Sequence, residues 1–272
     1  MKGGEGKKME TGSFVIKCGG STLASLSGSF YAELRELQQH GHTPVIVHGG
    51  GPAISETLDR LAIATEFVEG FRKTTEEVLD VVEMVLAGQM NKQIVRSLQR
   101  NGAKAVGLSG TDGFLLEAEP VDNHEQVGLV GRVTRVNREL ITGLIGLGYI
   151  PVLAPIGTHP QTGQRYNINA DTAAGAVVSQ TGAGCLIVVT DVPGIKTTVQ
   201  GRPAILPSVT VTEIVEMIGS GEIYGGMIPK VKAAVECIQG EVREVVIIQG
   251  SEPGLLTRAL NGEEVGTRIV KG

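Results

Sequence analysis

Residues 13–20 read SFVIKCGG, and this stretch predicts the kind of fold that the chain adopts. Phe14, Val15 and Ile16 form an apolar run of β-forming residues, which is typical of a strand buried on both faces of a parallel sheet. Lys17 lies at the carboxyl end of this strand, and the glycines after it allow a tight turn whose N–H groups are open to an anion. Taken alone, the motif favours an ordinary surface lysine over a phosphate-binding one.

The order of strand and glycine turn occurs a second time. Residues 45–47 are an apolar run, and the sequence HGGGP follows at residues 48–52. Three successive glycines let a ligand approach the backbone closely, and a proline opens the predicted helix of residues 53–61. Because a helix start carries partial positive charge, this second turn also favours an anion site.

Strands and helices alternate along the rest of the chain. Only 3% of the 272 residues are aromatic and 41% are hydrophobic, so the core consists mainly of Val, Ile, Leu and Ala. This composition indicates an α/β fold with parallel strands covered by helices on both faces. Further strands are predicted at residues 105–108, 149–154, 185–190, 244–248 and 266–270, and hairpins at residues 115–136 and 155–166. Residues 66–75 are predicted to form either a short hairpin or an irregular loop. Further helices are predicted at residues 30–39, 76–100, 138–146, 172–183, 208–218, 227–239 and 255–260.

Composition and charge disfavour several classes of function. The net charge of −5 gives no general attraction to nucleic acid or to anionic lipid. The three cysteines are far apart and lie in apolar runs, so buried free thiols are predicted rather than a metal site. No apolar run reaches the ~20 residues that cross a bilayer, and residues 1–12 are typical of a flexible lead-in rather than a secretion signal. We therefore expect a cytoplasmic protein without a membrane or nucleic-acid partner.

The glycine turns match neither of two common nucleotide-binding fingerprints. CGGSTL and HGGGPA lack the spacing G-x-G-x-x-G, which disfavours nicotinamide and flavin dehydrogenases. The sequence G-x-x-x-x-G-K-[ST] is also absent from the chain, so a phosphotransferase would not belong to the P-loop class. Phosphoryl transfer depends mainly on neutralising the charge of the moving group, and lysines with glycine N–H groups suffice for that.

Several polar residues stand beside predicted strand ends or helix starts. Arg72, in a predicted hairpin, is either a clamp for a substrate carboxylate or a solvated residue of a basic turn. Asn167, Asn169 and Asp171 alternate, so they share one face of an extended segment, and either Asn169 or Asp171 is expected to cap the next helix. Lys230 begins a helix, where a cation is unfavourable unless an anion binds beside it. Ligands of open α/β sheets bind outside the carboxyl ends of the strands, which makes these residues site candidates.

Six motifs together resemble the amino acid kinase family. They occur in the order IKCGGS, VIVHGGGP, EGFRKT, NINADTAA, VVTDVPGI and GGMIPKVKAA. The resemblance covers residues 13–270. Each motif by itself is only moderately specific for the family, but the occurrence of all six in this order is highly specific. HGGGP with GGMIPK favours the branch that phosphorylates N-acetylglutamate over the aspartate and uridylate kinases.

The resemblance implies a fold and an activity. The implied fold is a three-layer αβα open sandwich with a mostly parallel central sheet, similar to that of carbamate kinase. One continuous sheet would carry an N-terminal lobe, residues 13–160, for the amino acid and a C-terminal lobe, residues 161–272, for the nucleotide. The implied activity is ATP-dependent phosphorylation of the γ-carboxylate of N-acetyl-L-glutamate to N-acetyl-L-glutamyl 5-phosphate, the second step of arginine biosynthesis.

The resemblance also implies roles for individual residues. Lys17 and Lys230 would flank the transferred phosphoryl group, with Asp171 organising the two lysines. The N–H groups at the phosphate are assigned to Gly20 and Gly50, cofactor binding to Gly19 and Gly20, and substrate binding to Gly50, Gly51, Arg72 and Asn167. Adenine and ribose are assigned to Asp191, Val192, Pro193, Gly194, Ile195, Lys196, Glu222, Ile223 and Tyr224. Mg²⁺ would be held mainly by the ATP phosphates, with no metal site of protein ligands.

Two alternatives and an oligomeric state complete the expectations. A kinase for an N-blocked 2-aminoadipate, in lysine biosynthesis, would act on a substrate longer by about one methylene, which a pocket distinguishes poorly. A ligand-binding regulator without turnover is the other alternative, since fold does not fix function, and the presence of both lysines argues against it. Arginine-inhibited members of the family resemble hexamers joined through an extra N-terminal helix, and residues 1–12 are too short and glycine-rich for one. We therefore expect a homodimer with weak or no feedback by arginine.

Overall fold

The computed structural model describes residues 12–23, 26–199, 202–224, 227–239 and 242–272. The strands are β1 (Ser13–Cys18), β2 (Thr43–His48), β3 (Phe67–Val68), β4 (Phe71–Arg72), β5 (Ala105–Ser109), β6 (Leu116–Pro120), β7 (Val130–Val136), β8 (Ile150–Ala154), β9 (Ile156–Thr158), β10 (Arg165–Ile168), β11 (Cys185–Thr190), β12 (Lys196–Val199), β13 (Arg202–Ile205), β14 (Ser208–Thr210), β15 (Glu244–Gln249) and β16 (Thr267–Val270). The helices are α1 (Gly20–Leu23), α2 (Gly28–Gln39), α3 (Gly51–Arg60), α4 (Glu76–Glu83), α5 (Asn91–Arg100), α6 (His124–Val127), α7 (Arg138–Gly146), α8 (Ala170–Thr181), α9 (Val211–Gly219), α10 (Met227–Gln239) and α11 (Leu255–Leu260). A π-helical segment, Met84–Met90, joins α4 to α5, and a 3₁₀ turn spans Asp112–Phe114. No helix within these described ranges has both the length and the apolar character needed to cross a membrane.

The central sheet is built around the opening stretch of the chain. In the described ranges it has eight strands, in the order β14-β16-β15-β11-β1-β2-β8-β5. β1 pairs in parallel with both β2 and β11, which places Lys17 opposite Val47 on one side and Val188 on the other. The strands β15, β8 and β5 continue the parallel arrangement. The pairing of β16 with β15 is antiparallel. The predicted α/β fold with a mostly parallel sheet is confirmed.

Helices cover both faces of this sheet and make three layers. Successive side chains of a strand point to opposite faces, and β1 follows this rule. Phe14 and Ile16 belong to the apolar cluster that contains Leu34 of α2, whereas Val15 belongs to the cluster that contains Val177 of α8. All of these side chains are buried. The apolar run of the first strand is therefore explained by burial on both sides, as its composition predicted.

A smaller closed sheet lies beside the main one and brings the chain to α8. In the described part of the chain it has four strands, in the order β10-β7-β6-β9. The regions 115–136 and 155–166, both predicted as hairpins, form it, because β6 pairs antiparallel with β7 and β9 pairs antiparallel with β10. β10 also pairs in parallel with β7. Since β10 ends two residues before α8, this sheet determines where Asn167 lies relative to the helix.

Two segments differ from their predictions. Residues 208–210 do not begin a helix but form β14, which pairs in parallel with β16 at the sheet edge. The helix begins after Thr210, whose hydroxyl accepts a hydrogen bond from the N–H of Glu213 while the Glu213 carboxylate accepts one from Thr210. This capping box stops the helix from extending backwards. The long helix predicted at residues 76–100 is present, but the π-helical segment interrupts its regular winding.

Candidate active site

The carboxyl ends of β1, β2 and β11 meet at one edge of the main sheet, where the glycine turns begin. Gly19 donates its N–H to the carbonyl oxygen of Val189 at 3.3 Å, and Gly49 donates to that of Cys18 at 2.9 Å. Each turn is thus tied to the end of a neighbouring strand. A cavity of about 320 Å³ opens above this edge, where open α/β sheets bind their ligands.

Eight of the residues to which the resemblance assigned a role line this single cavity. They are Lys17, Gly19, Gly20, Gly50, Gly51, Arg72, Asn167 and Asp171. They come from both glycine turns, the β3–β4 hairpin, β10 and the start of α8. Residues far apart in the chain therefore share one site.

The two glycine turns touch each other through their backbones. A Cβ atom on Gly20 would lie 2.8 Å from both the Cα and the N of Gly50, and one on Gly50 would lie 2.6 Å from a methyl carbon of Leu86. The backbone of Gly50 has φ −172°, which any residue adopts, so the requirement for glycine is one of space. Without side chains, Gly20 and Gly50 let a ligand in the cavity approach their backbone closely, whereas the N–H groups of Gly19 and Gly49 donate to Val189 and Cys18.

Lys17, which is buried, forms an ion pair with the partly exposed Asp171, and both residues line the cavity. The Lys17 Nζ lies 2.9 Å from Oδ1 of Asp171, and the lysine is 7% exposed. The end of β1 supplies the cation and the first turn of α8 supplies the anion, next to a helix N-terminus that favours it. Because Asp171 holds the ammonium group in one place, Lys17 is oriented before any ligand binds.

Two helix N-termini add positive partial charge beside this pair. Asn169 caps α8, since its Oδ1 accepts hydrogen bonds from the N–H groups of Asp171 at 2.8 Å and Thr172 at 3.3 Å. At the other side, α3 begins directly after Gly50 with Pro52 in its first turn. The combination of a buried ammonium, glycine N–H groups and helix starts is suited to an anion with several charged oxygens.

Arg72 is held rigidly at the rim of the cavity. Its guanidinium donates to Oγ1 of Thr65 at 2.9 Å, to Oγ of Ser55 at 2.7 Å and to the Gly51 carbonyl oxygen at 3.1 Å. It also lies over the ring of Phe67, 4.7 Å from its centroid. Burial lowers the pKa of Arg72, although a nearby carboxylate opposes this shift. Of the five N–H groups of a guanidinium, three donate to these described residues, and two of those three belong to Nη2.

Asn167 is linked to Arg72 through a buried threonine. The Nδ2 of Asn167 donates to Oγ1 of Thr74 at 3.2 Å, and that hydroxyl donates to the Arg72 carbonyl oxygen at 2.7 Å. Thr74 is fully buried. Its hydroxyl therefore fixes the distance between the two residues that were assigned to the ends of the substrate.

The residues assigned to the nucleotide lie outside this cavity. The loop of residues 191–196 follows β11 and is fastened by a hydrogen bond from the N–H of Ile195 to Oγ1 of Thr267 at 2.8 Å. Ile195 and Ile223 are buried in the core. The carbonyl oxygen of Ile195 accepts a hydrogen bond from the N–H of Leu206, and the N–H of Ile223 donates to the carbonyl oxygen of Met217. Tyr224, in contrast, is 77% exposed. Within the described ranges, Pro193 of the first segment and Glu222 of the second line two different cavities.

Lys230 lies in the first turns of α10, which packs against α8, the helix that carries Asp171. The position of its side chain is outside the described part of the structure. The distance between the ammonium groups of Lys17 and Lys230 therefore stays a prediction.

Sequence reasoning did not single out the hydroxyl residues that hold Arg72 and Asn167. Ser55 lies within α3 and Thr65 in the loop after it, positions where small polar residues are common and carry no signal of their own. Thr74 gave a weak signal, because it ends the motif EGFRKT. These three residues orient the side chains of Arg72 and Asn167. This role can be recognised only in the folded structure, where the β3–β4 hairpin lies against α3.

Residues 13–249 match the family model described as the amino acid kinase family. Among curated relatives, an acetylglutamate kinase of Geobacillus kaustophilus (strain HTA426) is 51% identical over 257 residues, which cover 94% of this chain and 96% of the relative. An acetylglutamate kinase of Halalkalibacterium halodurans is 48% identical, covering 94% of this chain and 95% of the relative.

Solved structures agree in fold. The crystal structure of smu.665 from Streptococcus mutans UA159 superposes with a TM-score of 0.83 at 30% identity, covering 96% of this chain and 99% of that chain. An N-acetylglutamate synthase from Neisseria gonorrhoeae, in complex with coenzyme A and N-acetyl-glutamate, gives a TM-score of 0.82 at 22% identity, covering 98% of this chain and 61% of that chain. Carbamate kinase from Giardia lamblia bound to AMP-PNP gives 0.69 at 19% identity, covering 96% of this chain and 99% of that chain. The last two structures are only 22% and 19% identical to this chain, so their likeness concerns the fold alone.

Proposed function

The chain belongs to the amino acid kinase family, and from this premise we propose that it transfers the γ-phosphoryl group of ATP to the γ-carboxylate of N-acetyl-L-glutamate. The product is N-acetyl-L-glutamyl 5-phosphate, and the reaction is the second step of arginine biosynthesis. Relatives that carry the name acetylglutamate kinase, about half identical and aligned over nearly their whole length, support this substrate.

The observation that carries the mechanism is the ion pair of the buried Lys17 with Asp171, which lines the same cavity as the two glycine turns. The acceptor carboxylate is already ionised at neutral pH, since its unperturbed pKa is about 4.3. No general base is therefore required, and the main obstacle is repulsion between the carboxylate and the phosphates. A fixed ammonium and backbone N–H groups lower that repulsion at the point where charge accumulates in the transition state.

Arg72 and Asn167 are proposed to bind the rest of the amino acid. A guanidinium is suited to a carboxylate, so we assign the α-carboxylate of the substrate to Arg72 and the acetamido group to Asn167. The hydrogen bond through Thr74 supports this assignment because it links both residues into one rigid unit. Gly50 and Gly51 complete the binding of the γ-carboxylate in this proposal.

The nucleotide would bind toward the C-terminal half of the chain, residues 161–272, and the amino acid toward residues 13–160. Adenine and ribose are assigned to residues 191–196 and 222–224, and the β- and γ-phosphates extend from there to Lys17, with Lys230 as the second cation. The described residues include no cluster of three or more His, Cys, Asp or Glu side chains that would hold a metal. Mg²⁺ would accordingly bind through the phosphates of ATP, where it neutralises part of their charge.

A homodimeric, cytoplasmic enzyme is the remaining part of the proposal. Size-exclusion chromatography with light scattering measures the oligomeric state, and a hexamer would contradict it. Assays with added arginine test the expectation of weak or absent feedback, which strong inhibition would overturn.

The direct test of the proposed function is the formation of ADP in a coupled assay. We expect ADP release that requires both ATP and N-acetyl-L-glutamate and that proceeds much more slowly with N-acetyl-L-2-aminoadipate. Trapping the acyl phosphate with hydroxylamine identifies the product as an activated carboxylate. ADP formation at the same rate with and without N-acetyl-L-glutamate would refute the proposal.

A further inference from the structure

Two buried polar side chains lie directly behind the second glycine turn and have no part in the site described so far. His48 ends β2 immediately before Gly49, and Asn91 begins α5; both are completely buried. The Nδ1 of His48 lies 3.1 Å from the carbonyl oxygen of Gly49, and its Nε2 lies 3.3 Å from Nδ2 of Asn91. Burying such groups is costly unless their hydrogen bonds are specific.

The orientation of the Asn91 amide follows from its other neighbours. Its Nδ2 lies 2.9 Å from the Val152 carbonyl oxygen and 3.3 Å from that of Leu108, and carbonyl oxygens only accept. Its Oδ1 accepts a hydrogen bond from the Lys92 ammonium at 3.1 Å. The two hydrogens of Nδ2 are thus shared among these two carbonyl oxygens and Nε2 of His48, and since Nδ2 cannot accept, a proton on Nε2 would have no acceptor there. The carbonyl oxygen of Gly49 also only accepts, which assigns the ring proton to Nδ1 and leaves Nε2 unprotonated.

The protonation of His48 follows in turn. With Nε2 unprotonated, the neutral ring carries its proton on Nδ1, and this N–H donates to the Gly49 carbonyl oxygen. The pKa of His48 is lowered to about 4, mainly because the ring is buried. The hydrogen bond to Gly49 opposes this shift, and the positive charge of Lys92 adds to it. The ring is thus neutral throughout the physiological pH range.

The bond to Gly49 determines the direction of the next N–H group. The carbonyl of Gly49 and the N–H of Gly50 belong to one planar peptide group and point in opposite directions. Holding the carbonyl oxygen on the histidine turns the Gly50 N–H away from the histidine. Gly50 lines the cavity, and no described residue accepts a hydrogen bond from its N–H.

The π-helical segment brings the same helix against both sides of this turn. Its wide turn is marked by the hydrogen bond from the Asn91 N–H to the Leu86 carbonyl oxygen, and such segments within α-helices are frequent at functional sites. Leu86 packs on Gly50, where a Cβ atom would come within 2.6 Å of it. Asn91 meets His48 from the next turn.

We propose that His48, held by Asn91 as the neutral Nδ1–H tautomer, is a positioning residue that directs the N–H of Gly50 into the cavity toward the transferred phosphoryl group. The histidine does not touch the substrate in this proposal but acts through the Gly49–Gly50 peptide group. The catalytic part of the inference rests on the proposed kinase function, whereas the tautomer and its bond to Gly49 do not.

The tautomer is tested first, on the unaltered protein, by long-range ¹⁵N–¹H spectra of the histidine rings. The signals of His48 are identified by their loss in His48→Asn. We expect an Nδ1–H, Nε2-unprotonated ring that does not change between pH 5.5 and 8. An Nε2–H ring, or a titration near the ordinary value of about 6.5, would overturn the proposal even if the enzyme is fully active.

The positioning role is tested by two substitutions that separate the ring nitrogens. In His48→Asn the side-chain amide takes the place of Nδ1 and retains a donor to Gly49, whereas in His48→Gln it takes the place of Nε2 and leaves Gly49 without one. We expect kcat of His48→Gln to fall about 10²-fold, the loss typical of a misplaced catalytic contact, with KM for ATP nearly unchanged, and His48→Asn to recover most of that loss.

The surface variant His124→Gln is the matched control, since His124 is exposed and outside the cavity. Equal loss of kcat in His48→Asn and His48→Gln, or no loss in either, would refute the positioning role. If His48→Gln does not fold, the ring spectra of the unaltered protein still decide the tautomer. Absence of kinase activity in the unaltered protein would refute the proposed function instead, and the spectra distinguish that failure from this one.

Discussion

The contact between the two glycine turns predicts a severe effect of Gly20→Ala. The added Cβ would lie 2.8 Å from Cα and N of Gly50 and 2.9 Å from N of Gly51, and these are backbone atoms that cannot rotate away. Ordinary contacts begin near 3.4 Å, so the two turns must separate by about 0.6 Å. The φ angle of Gly20 is not in the left-handed region, so an alanine there suffers no conformational strain of its own.

The size of the effect follows from this displacement. Overpacking of this kind costs about 1–3 kcal/mol of folding free energy. Displacing a catalytic group by close to 1 Å lowers the rate by up to about 10²-fold, which corresponds to about 2.7 kcal/mol of transition-state stabilisation. We therefore expect a large loss of kcat with a modest loss of thermal stability.

The assay is steady-state ADP release with both substrates, together with thermal unfolding of the same samples. Gly143→Ala in α7 is the control, because it makes the same chemical change where no atom lies within 4 Å of the new Cβ. That variant should keep its kcat and gain up to about 1 kcal/mol from helix propensity. If Gly20→Ala retained kcat within about twofold of the unaltered protein, the contact between the turns would not be part of the catalytic arrangement.

Lys17→Ala should lower kcat by at least about 10³-fold, because it removes the buried cation proposed to stabilise the transferred phosphoryl group. The affinity for ATP, measured by calorimetry, should change much less. Near-normal turnover would show that the role of Lys17 is wrongly assigned. Arg72→Lys should raise KM for N-acetyl-L-glutamate more than it lowers kcat. The reason is that an ammonium group cannot reproduce the three hydrogen bonds to Thr65, Ser55 and Gly51. An unchanged KM would contradict this prediction. Burial raises the pKa of Cys18 to about 12 and that of Cys237 to about 12, so both thiols stay protonated. Iodoacetamide at pH 8 should therefore leave them unmodified in the native protein and alkylate them after unfolding in guanidinium, as mass spectrometry of peptides would report.

The buried histidine adds a dependence of stability on pH. In the unfolded chain His48 binds its proton near the ordinary pKa of about 6.5, whereas in the folded protein the pKa is lowered to about 4. The unfolded state therefore binds more protons between these values, and the stability that the neutral ring contributes is lost as the pH falls through this window. This loss should be smaller in His48→Asn, which has no titrating ring at that position.

Much of the candidate site was predictable because its residues lie at the ends of strands. The buried strand at residues 14–16, the glycine turns and the alternation of strand and helix are local patterns, and parallel strands gather their carboxyl ends at one edge. Asn169 was also predictable as a cap, since asparagine before a helix accepts hydrogen bonds from the first free N–H groups. Pro193 and Glu222, from the two segments assigned to adenine and ribose, line two other cavities, and the role of these segments stays a prediction.

The amino-acid sequence by itself determined the α/β class, the order of its elements and the positions of the glycine turns, because apolar periodicity and the spatial needs of glycine act between near neighbours in the chain. The tertiary structure alone decided that Lys17 meets Asp171, that Thr74 joins Arg72 to Asn167 and that Asn91 supports His48. These contacts depend on the order of β11, β1, β2 and β8 across the sheet and on the π-helical segment. No local pattern encodes the strand order or the π-helical segment, since both features result from how distant elements pack together to bury their apolar faces.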